Sequence, residues 1–372
     1  MDKNKNRHNP YWYNLPERLI AQMPAVPRDS SKLLVYDTRN NSLIIKQFSE
    51  LATSLPPSTT LTLNDAKVVP ARVTMNKETG GKIVVLFLVN EWISTRQGSI
   101  PCFLDRKSRV GDKLYFEDKS FVTVQKQDAG IFYLSWDGKA DDLLKKLDNY
   151  GTMPIPPYIK HSPLSRDELM EKYQTIFAKS PGSSAAPTAS LHFTPELFKS
   201  LDEAGIKKQY ITLHVGLGTF APLTSENMRL KTLHHEWFEV PEKILRSFEK
   251  SMYLGIKMRE SRSNKADITA VGTTVVRTLE SLALVKPVEL VKLVELGKPI
   301  TGQTDLFIYP PFEFKVVNHL ITNFHLPGSS LMMLVDAFLE HKKAQKRILE
   351  LYAYAIEHDF RFYSFGDAML IL

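Results

Sequence analysis

The chain has 372 residues, 43% hydrophobic and 24% charged, with 22 Pro and 17 Gly. This composition belongs to a folded globular protein and excludes collagen-like, disordered and coiled-coil chains, and the length suggests two or three domains. Forty-eight Lys plus Arg against 41 Asp plus Glu leave a net charge of +7, which suits a nucleic-acid partner but is shared by many enzymes. The single cysteine, Cys102, excludes an internal disulfide framework and any multi-cysteine metal site. The first ten residues are polar and lack the apolar core of a signal peptide. The longest apolar run, residues 83–89, is far short of the roughly 20 residues that span a bilayer. A cytoplasmic protein without membrane contact is expected.

From 59 to 136 the pattern is strand-like. Thr59-Thr-Leu-Thr-Leu63 alternates, residues 82–89 are β-branched and apolar, and two more short runs follow at 121–124 and 131–134. Glycine turns at 80–81, 111 and 130 separate them, so the stretch reads as a small antiparallel barrel. The proline-rich Met153-Pro-Ile-Pro-Pro-Tyr158 reads as a linker. Beyond Ser190 the pattern becomes strand, loop, helix. Thr194-Pro195 starts a helix that Gly205 should stop. Strands are expected at 210–215, 268–271 and 320–323, with helices at 275–284 and 331–340. The expected fold is α/β: a larger α/β domain from 1–58 and 151–372, with an inserted barrel over 59–150.

In such a sheet, ligands bind beyond the carboxyl ends of the strands. Those junctions carry His214-Val-Gly216-Leu-Gly218-Thr219, Gly272-Thr273-Thr274 with Arg277, and Asn323-Phe-His325; Thr188, His192 and Thr194 precede the first helix. Each has a plainer reading. A histidine between apolar residues is often a satisfied core group, a two-glycine turn is common, Gly-Thr-Thr can be a simple helix cap, and Arg277 could be solvated. His234-His235-Glu236 lacks metal-ligand spacing, so no metal is expected. The aromatic series Tyr352, Tyr354, Phe360, Phe362, Tyr363, Phe365 reads as core rather than as a base-stacking platform.

Ordered sequence blocks go further. They include Pro16-Glu-Arg-Leu-Ile-Ala-Gln22, Asn64-Asp65-Ala-Lys-Val-Val-Pro-Ala-Arg72, Leu191-His-Phe-Thr194, Thr212-Leu-His-Val-Gly216 and Gly272-Thr-Thr-Val-Val-Arg-Thr-Leu-Glu280. Thr304-Asp305-Leu-Phe-Ile-Tyr-Pro310, Thr322-Asn-Phe-His-Leu-Pro327 and Ser364-Phe-Gly-Asp-Ala-Met-Leu370 complete the series. In these blocks the chain resembles the S-adenosylmethionine:tRNA ribosyltransferase-isomerase family of queuosine biosynthesis. The resemblance implies an α/β domain with an inserted barrel. It also implies transfer of the ribosyl group of S-adenosylmethionine, a co-substrate and not a bound cofactor, to the amine of 7-aminomethyl-7-deazaguanine at the tRNA wobble position. Isomerisation then gives epoxyqueuosine-tRNA with release of adenine and methionine. Ser190, Leu217, His235 and residues 102–108 depart from the family pattern, which leaves open a divergent paralogue that binds tRNA or nucleotide with altered activity.

The reaction needs a general base, and histidine suits neutral pH. His214 ranks first, then His192 and His325, with Glu236, Glu280 and Asp305 as carboxylate alternatives. Arg277 with Gly272, Thr273 and Thr274 is expected to hold an anion. Gly216, Gly218, Thr219, Asn323, Asn64, Asp65, Arg72, Thr188 and Thr194 complete the expected substrate contacts. The expected partners are tRNA and S-adenosylmethionine, acting on a monomer.

Overall fold

The computed structural model describes residues 9–93, 98–128, 130–216, 223–245, 267–285 and 297–372. One sheet contains β1 (Lys32–Asp37), β2 (Ser42–Gln47), β3 (Thr60–Asn64), β4 (Lys207–Leu213), β5 (Thr232–Val240), β6 (Ile268–Val271), β7 (Ile300–Leu306), β8 (His319–Asn323) and β9 (Ala368–Ile371). Their spatial order is β7-β5-β4-β3-β6-β8-β9-β1-β2. The neighbours β4, β3, β6 and β8 pair in parallel and so end at one edge of the sheet. β9 is antiparallel to β8, and β1 is parallel to β9. The residues leading into those two strands therefore reach the same edge.

Both faces of the sheet are covered, as a parallel core requires. On β1, Leu34 and Tyr36 pack with one core and Leu33 and Val35 with the other. The first core takes in α2 (Thr273–Ala283), α3 (Ser330–His341) and α4 (Ile348–Glu357), and the second takes in Leu197 and Leu201 of α1 (Pro195–Glu203). α1 starts where its sequence dictates. The Thr194 hydroxyl accepts from Leu197 N at 3.1 Å with Pro195 in the first turn, and Gly205 follows at φ +72°.

The second unit is a closed barrel. Strands Arg72–Lys77, Lys82–Phe87, Ile100–Leu104, Ile131–Ser135, Phe121–Asp128 and Lys113–Tyr115 pair antiparallel in that order, and the last closes on the first. Helix Ala140–Tyr150 adds Leu143 and Leu147 to the barrel core.

Two expectations are corrected. The alternating stretch at 59–63 is not the first barrel strand but β3, flanked by β4 and β6 at the centre of the large sheet. Alternation shows that a strand has two different faces, not which sheet it joins. The proline-rich stretch is no free linker: Met153 and Ile159 are buried with Tyr173, Leu191 and Phe365. The aromatics Tyr352, Phe360, Phe362 and Phe365 are core, as expected.

Gly151 joins the barrel helix to a short strand pairing with Arg72–Lys77. A Cβ there would lie 1.7 Å from the Pro70 carbonyl oxygen, whereas at Gly81 the nearest atom is 3.8 Å away. Overpacking against backbone costs about 1–3 kcal/mol. Gly151→Ala should lower the unfolding free energy by that order, seen as a lower urea midpoint, with Gly81→Ala unchanged within error. Equal midpoints for both variants would contradict this account of the junction.

Candidate active site

At the ends of β6 and β8 lies a cleft of about 610 Å³, counting space open to solvent. Its walls include Thr188, Gly272, Thr273, Thr274, Asn323 and His325, facing Tyr158, Tyr363 and Ser364. Gly272, at φ +93°, turns the chain directly from β6 into α2, a conformation that favours glycine. The first-turn N–H groups of α2 thus form the electropositive element of the wall. Among the described residues lining the cleft there is no Asp, Glu, Lys or Arg.

Tyr158 and Ser364, which sequence reasoning missed, share a hydrogen bond of 2.7 Å, and the Tyr158 and Tyr363 rings are 4.7 Å apart. Ser364 begins one of the resembling blocks and so carried a signal. Tyr158 was hidden in the presumed linker.

The three histidines separate. His325 lines the cleft, its Nε2 2.8 Å from the Thr322 hydroxyl, while its backbone N donates to the Tyr352 hydroxyl at 2.8 Å. His192 lies behind the wall, with Nδ1 2.8 Å from the Ser31 hydroxyl and Nε2 3.4 Å from Asn323 Nδ2. His214, the first-ranked base, does not line the cleft. It stacks on Trp237 at 5.0 Å and packs against Gly182, and its buried Nδ1 has no hydrogen-bond partner among the described residues. Burial lowers all three, to about 3 for His325 and, with the Arg361 charge adding, for His192, and to about 4 for His214. Each is neutral at pH 7 and a weak proton acceptor.

Arg277 does not reach the cleft. Its guanidinium is buried, paired with the buried Glu236 carboxylate, and donates to the carbonyls of Leu306 at 3.0 Å and Thr304 at 3.4 Å. Glu236 also accepts from Gly216 N at 3.0 Å. The pair thus joins α2 to β5, β7 and the end of β4. His234 and His235, the neighbours of Glu236, are exposed.

Glu280 is buried and accepts from the backbone N–H groups of Lys315, Val316 and Val317. Burial raises its carboxyl, and those bonds oppose the rise. Asn64 bridges β3 and β4, taking the Leu213 N–H and donating to the Leu213 carbonyl. Asp65 accepts from the Thr212 hydroxyl at 2.6 Å; burial raises its carboxyl. Besides capping α1, Thr194 donates to Asp29 at 2.8 Å. Arg72 is exposed on the barrel and Asp305 is half-buried on β7, and neither lines this cleft. Gly218 and Thr219 lie outside the described residues. Of the sequence-derived candidates the cleft gathers Thr188, Gly272, Thr273, Thr274, Asn323 and His325.

Two outcomes follow from these positions. Removing one partner of a buried ion pair leaves the other charge uncompensated, at a cost of about 3–5 kcal/mol. Arg277→Ala should therefore unfold at markedly lower denaturant. A variant as stable as the parent would show that the pair does not hold α2 in place. The three lowered histidines stabilise the fold above pH 6.5, where both folded and unfolded forms are neutral. As pH falls below 6.5 only the unfolded chain takes up protons, so stability drops by about 1.4 kcal/mol per pH unit for each histidine until its folded value is reached. Between pH 6 and 4.5, His325→Gln should reduce the slope of unfolding free energy against pH by about one proton. An unchanged slope would contradict the buried neutral state.

The sequence profile of a family described as queuosine biosynthesis protein matches residues 8–371. An S-adenosylmethionine:tRNA ribosyltransferase-isomerase of Thermotoga maritima is 40% identical over 363 residues, covering 97% of this chain and 98% of its own. One from Gloeobacter violaceus is 41% identical over 370 residues, covering 97% and 95%. The crystal structure of S-adenosylmethionine tRNA ribosyltransferase from Thermotoga maritima aligns over 97% of this chain and 99% of that one, with 31% identity and a TM-score of 0.50. With its α/β domain, closed barrel and strand-end cleft, the chain belongs to the queuosine biosynthesis protein family.

Proposed function

We propose that this protein is an S-adenosylmethionine:tRNA ribosyltransferase-isomerase. The observation that carries the reading is identity near 40% spread over 97% of the chain, to relatives that all bear this name. It acts on tRNA carrying 7-aminomethyl-7-deazaguanine, transfers and isomerises the ribosyl group of S-adenosylmethionine, and releases adenine and methionine.

The cleft at the ends of β6 and β8 is the site for the donor. A sulfonium enters a wall without fixed cationic side chains more readily than one lined by Lys or Arg. The N-terminus of α2 at Thr273 and Thr274 supports the methionine carboxylate by its N–H groups and dipole, the anion-binding task that Arg277, already paired, does not perform. His325 and His192 act as neutral hydrogen-bonding groups, because an imidazole lowered to about 3 takes a proton poorly at neutral pH. Among the described residues no helix is long and apolar enough to cross a membrane, and the substrates need none.

Incubation with S-adenosylmethionine and tRNA bearing the aminomethyl base should release adenine and methionine in equal amounts. Formation of S-adenosylhomocysteine instead would mark a methyltransferase and refute the reading. The apparent tRNA constant should weaken steeply with salt, as phosphate contacts dictate, and that for S-adenosylmethionine should not. Equal salt dependence would argue against tRNA as the substrate.

A further inference from the structure

The polar wall of the cleft has a fixed hydrogen-bond direction, and it can be traced from one backbone group. The Asp367 carbonyl can only accept. Asn323 Nδ2 lies 3.4 Å from it, which fixes the Asn323 amide with its NH₂ toward Asp367 and His192. The same NH₂ meets His192 Nε2 at 3.4 Å, so Nε2 is the accepting nitrogen. The ring is neutral, lowered to about 3 by burial, and its one proton therefore sits on Nδ1. From there it points to the Ser31 hydroxyl at 2.8 Å. On the other side of the amide, Asn323 Oδ1 can only accept, so the Thr188 hydroxyl 2.8 Å away is the donor.

The chain of constraints ends in the cleft. The Thr188 hydroxyl has given its proton to Asn323, and it retains only lone pairs. Thr188 is half-buried and lines the cleft, and among the described residues no donor reaches its hydroxyl. Its surroundings hold it there. Asp367 accepts from the backbone N–H groups of Lys32 at 3.1 Å and Arg361 at 2.7 Å, tying the lead-ins of β1 and β9 together, and His192 lies against Phe48 with ring centroids 4.7 Å apart.

We infer that Thr188 is an obligate hydrogen-bond acceptor in the cleft, binding an O–H or N–H donor of the substrates, and that His192 is a positioning residue that sets this polarity through Asn323. The inference rests on the proposed reaction for the identity of the substrates. Those substrates offer two sources of a donor: a ribose hydroxyl of S-adenosylmethionine, or the exocyclic amine of the modified base. A group that can only accept at that point would be left without a partner, so the polarity selects for the donor-bearing ligand.

The test pairs side-chain removal with substrate-group removal. Binding of S-adenosylmethionine, of its 2′-deoxy and 3′-deoxy analogues, and of tRNA with either the aminomethyl base or guanine at the wobble position is measured for the parent, Thr188→Val and Thr188→Ser. Thr188→Val should weaken one true substrate about tenfold, and Thr188→Ser should restore it to within about threefold. If the donor is a ribose hydroxyl, one deoxy analogue is penalised in the parent and no longer in Thr188→Val. If it is the amine, the penalty for guanine-tRNA disappears instead. Penalties that persist in full in Thr188→Val, or binding of both true substrates within twofold of the parent, would overturn the assignment.

Histidine variants test the second half. Gln at 192 can accept from Asn323 and donate toward Ser31, so His192→Gln should keep kcat/KM within about threefold, whereas His192→Leu should lose about as much as Thr188→Val. A folded His192→Gln variant that lost 10² or more in kcat would show proton transfer by His192 and would overturn the positioning role. The Thr188 binding differences, unlike the His192 rates, are read without turnover. A parent that binds its substrates but releases no adenine would therefore defeat the reaction while still deciding the Thr188 assignment.

Discussion

The cleft end of this molecule depends on one constraint: a backbone carbonyl accepts hydrogen bonds and never donates them. The Asp367 carbonyl orients Asn323, and Asn323 orients His192 on one side and Thr188 on the other. The constraint operates because of topology. β9 runs against β8, so the turn before β9 reaches the edge where the parallel strands stop. Ser31, just ahead of β1, arrives there for the same reason. Residues far apart in sequence thus form one polar chain, and each member is limited to the role left by its neighbour.

Charge is spent elsewhere. Arg277 and Glu280, which follow Gly272-Thr273-Thr274 on α2, are turned into the protein, one against Glu236 and two strand carbonyls, the other onto three backbone N–H groups. Buried charges of this kind hold elements in register as long as every partner is present. The cleft is left with hydroxyls, amides, aromatic rings and the positive end of a helix. That is a suitable lining for a ligand that carries a sulfonium and a carboxylate. A cation bound there would meet no fixed positive side chain, and an anion would have backbone N–H groups to meet.

Much of this was legible in the sequence. The rule that ligands sit beyond the carboxyl ends of parallel strands pointed to the junctions at 272–274 and 323–325, and both line the cleft. The capped start of α1, the strand at 268–271 and the barrel turns followed from local chemistry. What failed shares a cause. Arg277, Glu280 and Asn64 looked like ligand contacts because they stand in conspicuous polar motifs, yet a motif does not show which of its side chains reach the cleft and which are held inside the protein. Arg277 lies one turn beyond Thr273 along α2, deeper in the protein, where it meets Glu236 of β5 and the carbonyls of β7. Thr273, at the start of the helix, lines the cleft. His214 was favoured for its place at a strand end, and only the fold shows that Trp237 and Gly182 enclose it. β3 and the buried residues of the proline-rich stretch were misplaced because local pattern carries no information on long-range pairing.

The polarity of the cleft wall is tied to which nitrogen of His192 carries the proton. Nitrogen-detected NMR of the ¹⁵N-histidine-labelled protein, with His192→Gln to assign the resonance, reads this directly. The expected result is a neutral ring protonated on Nδ1, unchanged from pH 8 to pH 5. A ring protonated on Nε2, or one that becomes a cation within that range, would contradict the fixed polarity of the cleft wall and the role given to Thr188.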